Sequence, residues 1–272
     1  MEQREKDRAA QEQPGEHRTT ITFLGTSGAI PEVGGESPTF LINGRYLVDT
    51  GWTAVANLRN RGIEPLELEY VFFTHFHHDH YMALPSLLYY WLMRGKPLRE
   101  LKIVGPAEDL ELIVKRAISF LHPERYYGKD DVPTLIPLLP GDGYEEAAFR
   151  LETCATVHPV QGLCYRFMDR RSGKTFTFTG DTAYHPPIAE HARGSALLVH
   201  ESALGPVAAD PANNAYMHAG AIDAGRIAEA AGVAKLLLVH ALSSRAESCV
   251  AAAKDVFRGE VEWPADGQTY VL

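Results

Sequence analysis

A short apolar stretch, LEYVFFTH (residues 68–75), runs directly into a cluster of histidines, and this junction strongly constrains the fold. The cluster holds four histidines and one aspartate, namely His75, His77, His78, Asp79 and His80. A buried strand that ends in such a cluster delivers polar side chains to the edge of a sheet. The fold must therefore place this edge where side chains from other strands can meet the cluster.

Three further apolar stretches end in the same kind of residue: TCATVH at His158, TFTFTGD at Asp181 and LLLVH at His240. Neutral imidazole and carboxylate are ligands that suit zinc, iron or manganese. A lone histidine at a strand end is more often a hydrogen-bonded core residue, and an aspartate after Gly180 is more often a turn residue. Because His158, Asp181 and His240 occur together with the histidine cluster, metal binding is the favoured interpretation. Seven candidate ligands are too many for one tetrahedral ion but suit two ions that share one carboxylate. The candidates are His75, His77, Asp79, His80, His158, Asp181 and His240.

Strands and helices alternate along the rest of the chain. TFLING and RYLVDTG are joined by Asn43-Gly44, which predicts a hairpin, and WTAVANLRNRG predicts a helix that Gly62 closes. The polar leader, residues 1–18, is expected to be disordered. Residues 19–272 are expected to form a single α/β domain whose mixed sheets pack in layers.

The net charge, the cysteine count and the length of the apolar stretches argue against several classes of protein. The formal net charge of −9 argues against a broad basic face for nucleic acid. The three cysteines are far apart without a CxxC pair, which argues against a disulfide framework or a thiolate zinc site and suits the cytoplasm. The most apolar stretch, residues 81–93, is shorter than the roughly 20 residues that span a bilayer. It predicts a core or interface helix, a homodimer and no membrane association.

With these residues in place, the chain resembles the metallo-β-lactamase fold hydrolases. THFHHDH fits the HxHxDH signature of that superfamily, and His158, Asp181 in TGDT and His240 in LLLVHAL fit its later ligand positions in order. FLGTSG and LVDTG match two further recurrent stretches. The resemblance covers residues 19–272, and it implies an αββα four-layer sandwich with mixed sheets.

Within the superfamily, the chain is most similar to ribonuclease Z, the tRNA 3′-processing endonuclease, and to its phosphodiesterase relatives. The similar stretches are FLGTSGAIP, LLVHESA and MHAGAIDAGRIAEAAGVAKLLLVH. The resemblance implies that one metal is held by His75, His77 and His158, the other by Asp79, His80 and His240, and that Asp181 bridges them. Asp79, His218 and Glu201 would be the catalytic residues, with His218 at the scissile phosphate and Glu201 orienting it.

These implied roles are physically consistent. A metal-bridging hydroxide would attack phosphorus while two cations neutralise the developing charge. A protonated His218, held by Glu201, would supply the proton that the leaving group needs. The alternatives are a salt bridge or helix cap for Glu201 and a helix start for His218. Asp49 either accepts a proton from a ligand imidazole or forms a turn, and His78 is expected beside the site, on neither metal.

The substrate is the least constrained of these expectations. PEVGGES (residues 31–37) lacks Lys, Arg and Asn where ribonuclease Z has a basic, asparagine-containing motif. No long Gly/Pro-rich arm of the kind that clamps tRNA precedes Asp181. We therefore expect a small-molecule or nucleotide phosphodiester. The alternatives are an aryl sulfate or lactone, true tRNA 3′ processing, or a non-catalytic metal-binding protein. Two divalent ions are expected, with zinc favoured and manganese or iron as alternatives.

Other aromatic and histidine residues have weaker assignments. The aromatic residues 89–91 are expected in the core, whereas Tyr81, Tyr184 and His185 could face a substrate. LHPERYYGKD (residues 121–130), within 120–145, could form part of a lid. Three further histidines, His17, His122 and His191, are expected on the surface.

Overall fold

The computed structural model describes residues 17–125 and 131–272, and within them two seven-stranded sheets lie face to face. Helices pack on the outer face of each sheet, which gives four layers. The predicted αββα sandwich with mixed sheets is confirmed. Most of the predicted leader and residues 126–130 of the predicted lid lie outside the described residues.

The first sheet has the strand order β14-β1-β2-β3-β4-β5-β6. Its strands are β1 (Thr20–Gly25), β2 (Thr39–Ile42), β3 (Tyr46–Val48), β4 (Tyr70–Phe72), β5 (Lys102–Pro106), β6 (Thr134–Leu138) and β14 (Thr269–Val271). The pairings from β14 to β3 are antiparallel, and those from β3 to β6 are parallel. β1, β3 and β4 therefore all run toward the same rim of the sandwich.

The second sheet has the strand order β13-β12-β11-β10-β9-β8-β7. Its strands are β7 (Gly143–Glu145), β8 (Phe149–Ala155), β9 (Leu163–Asp169), β10 (Thr175–Phe178), β11 (Leu197–Glu201), β12 (Lys235–Val239) and β13 (Glu260–Glu262). The pairings from β7 to β10 are antiparallel, and those from β10 to β13 are parallel. β8, β10, β11 and β12 consequently have the same direction, and their carboxyl ends lie together.

The helices divide between the two outer faces. They are α1 (Ala54–Asn60), α2 (His78–Tyr81), α3 (Leu84–Met93), α4 (Leu110–Leu121), α5 (Pro187–Ala192), α6 (Ala221–Ala231) and α7 (Ala246–Lys254). Side chains of α1, α3 and α4 pack on the first sheet, and side chains of α5, α6 and α7 pack on the second. Within the described residues, no helix has the length and apolarity that a bilayer span requires.

The local signals in the sequence act as expected. Asn43 and Gly44 both have positive φ, 53° and 70°, which is the backbone of the tight hairpin that joins β2 to β3. Gly62, with a φ of 73°, follows α1 as predicted. Three short elements, β7, α5 and β13, were not predicted. Each has only three to six residues, too few to show a hydrophobic period.

The apolar helix α3 packs one face inside the fold and leaves Tyr89 and Met93 exposed on the other. Leu84, Leu87, Leu88 and Trp91 are fully buried against the outer face of the first sheet. The indole nitrogen of Trp91 donates to the carbonyl oxygen of Pro65 at 3.0 Å, so this buried polar group is satisfied. The predicted core role is therefore correct for Trp91 and wrong for Tyr89, which is 48% exposed. The homodimer and the cytoplasmic location stay predictions.

A polar cluster ties the two sheets together at one edge of the sandwich. The Glu146 carboxylate accepts hydrogen bonds from Tyr70 Oη at 2.6 Å, Lys102 Nζ at 2.7 Å and Tyr144 Oη at 2.5 Å. Tyr70 and Lys102 lie on the first sheet, whereas Tyr144 lies on the second. Lys102 and the two tyrosine hydroxyls lower the pKa of Glu146 to about 2. The ionised carboxylate thus stabilises the docked sheets.

Glu146→Gln is expected to lower the free energy of unfolding at pH 7 by about 1 kcal/mol, since the carboxylate is partly exposed. The pKa of Glu146 is lower in the folded state, so its contribution is present above about pH 4.3 and is lost as the pH falls toward 2. Urea unfolding at several pH values should show the gap between the two proteins closing over that range. Glu145→Gln, at an exposed neighbouring position, is the control. A gap of the same size at pH 2 and pH 7 would contradict the assignment.

Candidate metal centre

The rim at the carboxyl ends of the strands collects every predicted ligand. β4 leads to His75 and then into α2, which carries Asp79 and His80. β8, β10 and β12 of the second sheet lead to the other predicted ligands, listed here in chain order: His158, Asp181 and His240. Each of these segments leaves its strand at the rim, so residues from distant parts of the sequence converge.

The first cluster contains His75, His77, His158 and Asp181, whose ligand atoms all lie within 4.8 Å of one another. His77 Nδ1 is 2.8 Å from His158 Nε2, and His75 Nε2 is 3.6 Å from Asp181 Oδ2. Three ring nitrogens and a carboxylate oxygen therefore face one small volume. These are the donors that a divalent transition metal prefers.

The second cluster contains Asp79, His80, Asp181 and His240, again with ligand atoms within 4.8 Å. His240 Nε2 lies 3.2 Å from Oδ2 of both Asp79 and Asp181. His80 Nε2 lies 3.3 Å from Asp79 Oδ2 and 3.5 Å from Asp181 Oδ2. Asp181 is common to both clusters, and its Oδ2 atom is the one that approaches the imidazoles of each.

Unsatisfied buried nitrogens indicate that these clusters fit cations. His75 Nε2 and His80 Nε2 are buried, and the carboxylate oxygens 3.3–3.6 Å away do not lie in hydrogen-bonding geometry to either atom. A buried polar atom without a partner costs free energy, and a bound cation would satisfy both lone pairs. Among the residues that the structure describes, no cysteine belongs to either group, so all of the candidate donor atoms are nitrogen or oxygen. The residues present therefore fit two divalent metal ions.

The two clusters differ in their electrostatics. Burial, reinforced by His80, lowers the pKa of His75 well below its ordinary value, so its imidazole is neutral and able to bind a metal. Burial alone would raise the pKa of Asp181, but His240, His80 and His75 hold it well below the ordinary range. The pKa of Asp79 is likewise lowered by His240 and His80 against the effect of burial. The second cluster is thus an ionised carboxylate pair, buried at Asp181 and partly buried at Asp79, that requires positive charge beside it.

One buried carboxylate orients a ligand of each cluster. Asp49 Oδ2 is 2.8 Å from His80 Nδ1, which leaves His80 Nε2 for a metal. Thr74 Oγ1 donates to the same oxygen at 2.8 Å and lies 3.1 Å from His75 Nδ1. Of the two alternatives for Asp49, the contact with a ligand imidazole is therefore the one observed. Thr74 was missed, because its role depends on a contact with β3 that sequence spacing does not reveal.

Asp49→Asn is expected to weaken metal binding at both clusters by about 10- to 100-fold, because the amide cannot accept the hydrogen bonds from His80 Nδ1, Thr74 Oγ1 and the Thr74 backbone N–H together. Asparagine also tolerates the positive φ of 53° at this position, so the backbone should be kept. Competition with a chelator measures the affinity. Asp169→Asn is the matched control, since Asp169 is buried but bonds to Thr19 and Asn43 instead of an imidazole. A loss confined to one ion would contradict the role of Thr74.

Strained backbone accompanies the site. His240 has a φ of 65° and Asp49 a φ of 53°, which are uncommon for residues other than glycine. Gly180, with a φ of 61°, lies so close to Thr74 that an added Cβ would fall 2.5 Å from Thr74 Cβ. The glycine therefore permits the close approach that brings Asp181 to the centre of the site.

A histidine–glutamate pair lies beside the two clusters. His218 Nδ1 is 2.8 Å from Glu201 Oε1 and 3.9 Å from Asp181 Oδ2. Glu201 is buried at the end of β11, where it also accepts backbone hydrogen bonds from Thr182 at 2.7 Å and Ala203 at 3.0 Å. Burial opposes protonation, but Glu201 and the nearby carboxylates raise the pKa of His218 to about 9. His218 is thus a protonated, oriented imidazole next to the shared carboxylate.

The remaining predicted residues lie outside the clusters. His78 is exposed on α2, where its ring contacts Tyr81, and it belongs to neither group of ligands. Tyr184 is exposed close after Asp181. A second missed residue is Ser37, whose hydroxyl donates to the carbonyl oxygen of Asp79 at 2.7 Å. No spacing rule links Ser37 to Asp79.

The loops around the rim are uncharged or acidic, and partly apolar. Residues 26–38, 157–161, 182–186, 203–218 and 241–244 contain no lysine or arginine, and the one cation that directly follows them, Arg245, packs beside Gly205. Several large apolar side chains of these loops are exposed: Ile30, Val33, Val157, Tyr184, Val207, Tyr216, Met217 and Leu242. These loops therefore provide no cationic clamp for a polyanion, but they do provide apolar contact surface.

Comparison with known proteins relates this site to one family. The family described as "Metallo-beta-lactamase superfamily" matches residues 34–225. Ribonuclease Z of Methanothermobacter thermautotrophicus is 26% identical over a gapped alignment of 291 positions, which covers 87% of this chain and 92% of that protein. The probable metallo-hydrolase YhfI of Bacillus subtilis is 28% identical over 255 residues, which cover 91% of this chain and 97% of that protein.

A solved structure shares the fold. The crystal structure of YhfI from Bacillus subtilis superimposes with a TM-score of 0.80 at 24% sequence identity, covering 94% of this chain and all of that one. Its four layers are thus the same arrangement that places the two clusters at the rim here.

Proposed function

The chain belongs to the metallo-β-lactamase superfamily of metal-dependent hydrolases, and on that premise we propose that it hydrolyses a phosphodiester bond in a small molecule or nucleotide. Two divalent ions held by the seven ligands would be its cofactors, with zinc as the favoured metal. Bound there, such ions lower the pKa of water and neutralise charge on phosphoryl oxygens.

The observation that carries this proposal is the contact between His218 and Glu201 at 2.8 Å. Hydrolysis of a phosphodiester releases an alkoxide, which is a poor leaving group unless it receives a proton. Glu201 is fixed by Thr182 and Ala203, so it holds the imidazole in one orientation. Asn214 fixes the backbone of His218 from both sides, accepting from its nitrogen at 3.0 Å and donating to its oxygen at 2.6 Å. His218 would therefore act as the general acid.

The chain's other residues divide the remaining tasks. Asp181 would hold both ions at a fixed separation, and Asp79 would complete the second. Asp49 would keep the imidazole of His80, and through Thr74 that of His75, in the tautomer that binds metal. The apolar rim side chains would exclude water from the reacting bond and contact the organic part of the substrate.

The rim supports a small substrate over tRNA. Recognition of a long polyanion uses many lysine or arginine contacts, and the five rim loops contain neither residue. The formal net charge of −9 adds a repulsive long-range field. The similarity to a protein named ribonuclease Z supports a phosphodiester as the bond that is cleaved. The composition of the rim loops supports a substrate smaller than RNA.

A panel of substrates tests the proposal. The metal-loaded protein should hydrolyse bis-p-nitrophenyl phosphate faster than an aryl sulfate or a lactone, and it should process a precursor tRNA slowly or not at all. Turnover of only the sulfate or the lactone would show that the bond class is wrong. Full metal content with no hydrolysis of any of these compounds would favour a non-catalytic metal-binding protein.

A further inference from the structure

A second group of metal-type side chains lies away from the rim, on the outer face of the second sheet. Cys154 on β8, Cys164 on β9 and His191 on α5 have ligand atoms within 4.8 Å of one another. The sequence predicts no thiolate site, and nothing in the fold itself tests that expectation, whereas the predicted surface position of His191 is wrong. His191 is partly buried, and its Nε2 atom is buried without a hydrogen-bond partner. The pairing of β8 with β9 brings the two cysteines together, and the packing of α5 on the second sheet adds the histidine.

The register of the β8–β9 hairpin sets the separation of the two thiols. Cys154 and Cys164 are direct partners across the antiparallel pair. Thr156 donates its backbone N–H to Gly162 two positions further along, so the cysteines occupy a hydrogen-bonded position of the ladder. At such positions the Cα atoms are about 5.5 Å apart and the side chains are farther apart than at the alternate positions.

This separation suits a shared metal ion better than a disulfide. A disulfide requires Cβ atoms about 3.5–4.5 Å apart, which is shorter than the usual spacing across a hydrogen-bonded pair. Two thiolates on one zinc ion, at about 2.3 Å each, can have sulfur atoms nearly 4 Å apart. A disulfide would also leave His191 Nε2 without a partner, whereas a metal ion would satisfy it.

We propose that Cys154, Cys164 and His191 form a separate site for a soft divalent cation such as zinc, with solvent as the fourth ligand. The two thiols would release their protons to the buffer as two metal–sulfur bonds form. Cys164 is fully buried, whereas Cys154 and His191 are only partly buried, so the ion can enter from their side. Arg166 pairs with Glu152 at 2.9 Å next to the group, which limits its repulsion of a cation.

The bound ion would act as a clamp. It would tie the β8–β9 hairpin to α5, and these elements lie next to the segments that carry His158 and Asp181. Because the ion binds only the folded arrangement, it would stabilise that arrangement by mass action. The inference does not depend on the substrate of the rim site, since the two groups share no residue.

Cobalt binding distinguishes this site from the rim. All seven rim ligands are nitrogen or oxygen donors, so a thiolate-to-cobalt charge-transfer band in the near ultraviolet reports only the cysteine site. The full chain, reduced and free of metal, is titrated with Co²⁺ in the absence of oxygen. We expect the band to appear and to saturate at one ion per chain beyond those at the rim. Cys154→Ser should abolish the band, and His191→Gln should weaken binding by at least about 100-fold, since even partners that only orient a ligand contribute 10- to 100-fold.

Cys249→Ala is the matched control, because Cys249 is buried under the same sheet but belongs to no ligand group. It should keep the band, and circular dichroism of each metal-free variant verifies that the fold is kept. No band in the wild-type protein at saturating Co²⁺, a band that persists in Cys154→Ser, or a band that disappears in Cys249→Ala would each overturn the proposal. A Cys154–Cys164 disulfide that forms in preference to metal binding would also overturn it.

Discussion

Asp181→Asn is expected to remove both metal ions together and to lower kcat on a phosphodiester by on the order of 10³-fold or more. Its Oδ2 atom lies 3.6 Å from His75 Nε2 in the first cluster and 3.2 Å from His240 Nε2 in the second. An amide has the same size but lacks the negative charge with which Asp181 would attract both cations. Because the residue is buried and the change is isosteric, the fold itself should persist.

Metal analysis after dialysis against a weak chelator measures this prediction. Asp79→Ala provides a graded comparison, since Asp79 belongs to one cluster only and its loss should deplete one ion. His78→Ala is the control, because His78 is exposed on the same short helix and should leave the metal content unchanged. If Asp181→Asn retained two ions, or if His78→Ala lost one, the assignment of ligands would be wrong.

His218→Ala is expected to lower kcat by about 10²- to 10⁴-fold without changing the metal content. The size of the loss should depend on the leaving group. A p-nitrophenolate needs little protonation, whereas an alkoxide needs a full proton, so the loss should be much larger for an alkyl phosphodiester. Glu201→Gln should produce a smaller loss with the same trend, because Glu201 acts through His218.

Steady-state rates on aryl and alkyl esters of the same phosphate supply the measurement. His78→Ala again serves as the control, as another imidazole at the same rim. An equal loss on both esters would assign His218 to substrate positioning instead of proton transfer. Loss of a metal ion in His218→Ala would instead make it a ligand.

Much of the fold and the rim site could be predicted from the sequence because the signals are local. The strand before His75 is apolar and short, and the spacing of HxHxDH keeps its ligands within a few residues of one another. Asn43-Gly44 sets its hairpin by backbone preference alone. Likewise, the position of Asp181 directly after an apolar strand and a glycine predicts its delivery to the edge of the sheet.

The other features depend on which strands pair, and local pattern does not determine pairing. Thr74 becomes important only because β3 and β4 are neighbours, which brings Asp49 within 2.8 Å of its hydroxyl. Cys154 and Cys164 look unrelated along the chain, and a register shifted by one residue would put them on opposite faces. The predicted lid falls partly on residues 126–130, outside the described residues.

Because each cluster takes ligands from both sheets, the enzyme would bind its metal ions only late in folding. In each cluster, two ligands follow β4 of the first sheet and two follow strands of the second. Neither sheet alone offers more than half of a coordination shell, so high-affinity capture requires that the two sheets have already docked. A newly made chain would thus become active only after its tertiary structure is complete, and its metal content would report how many molecules have reached that stage.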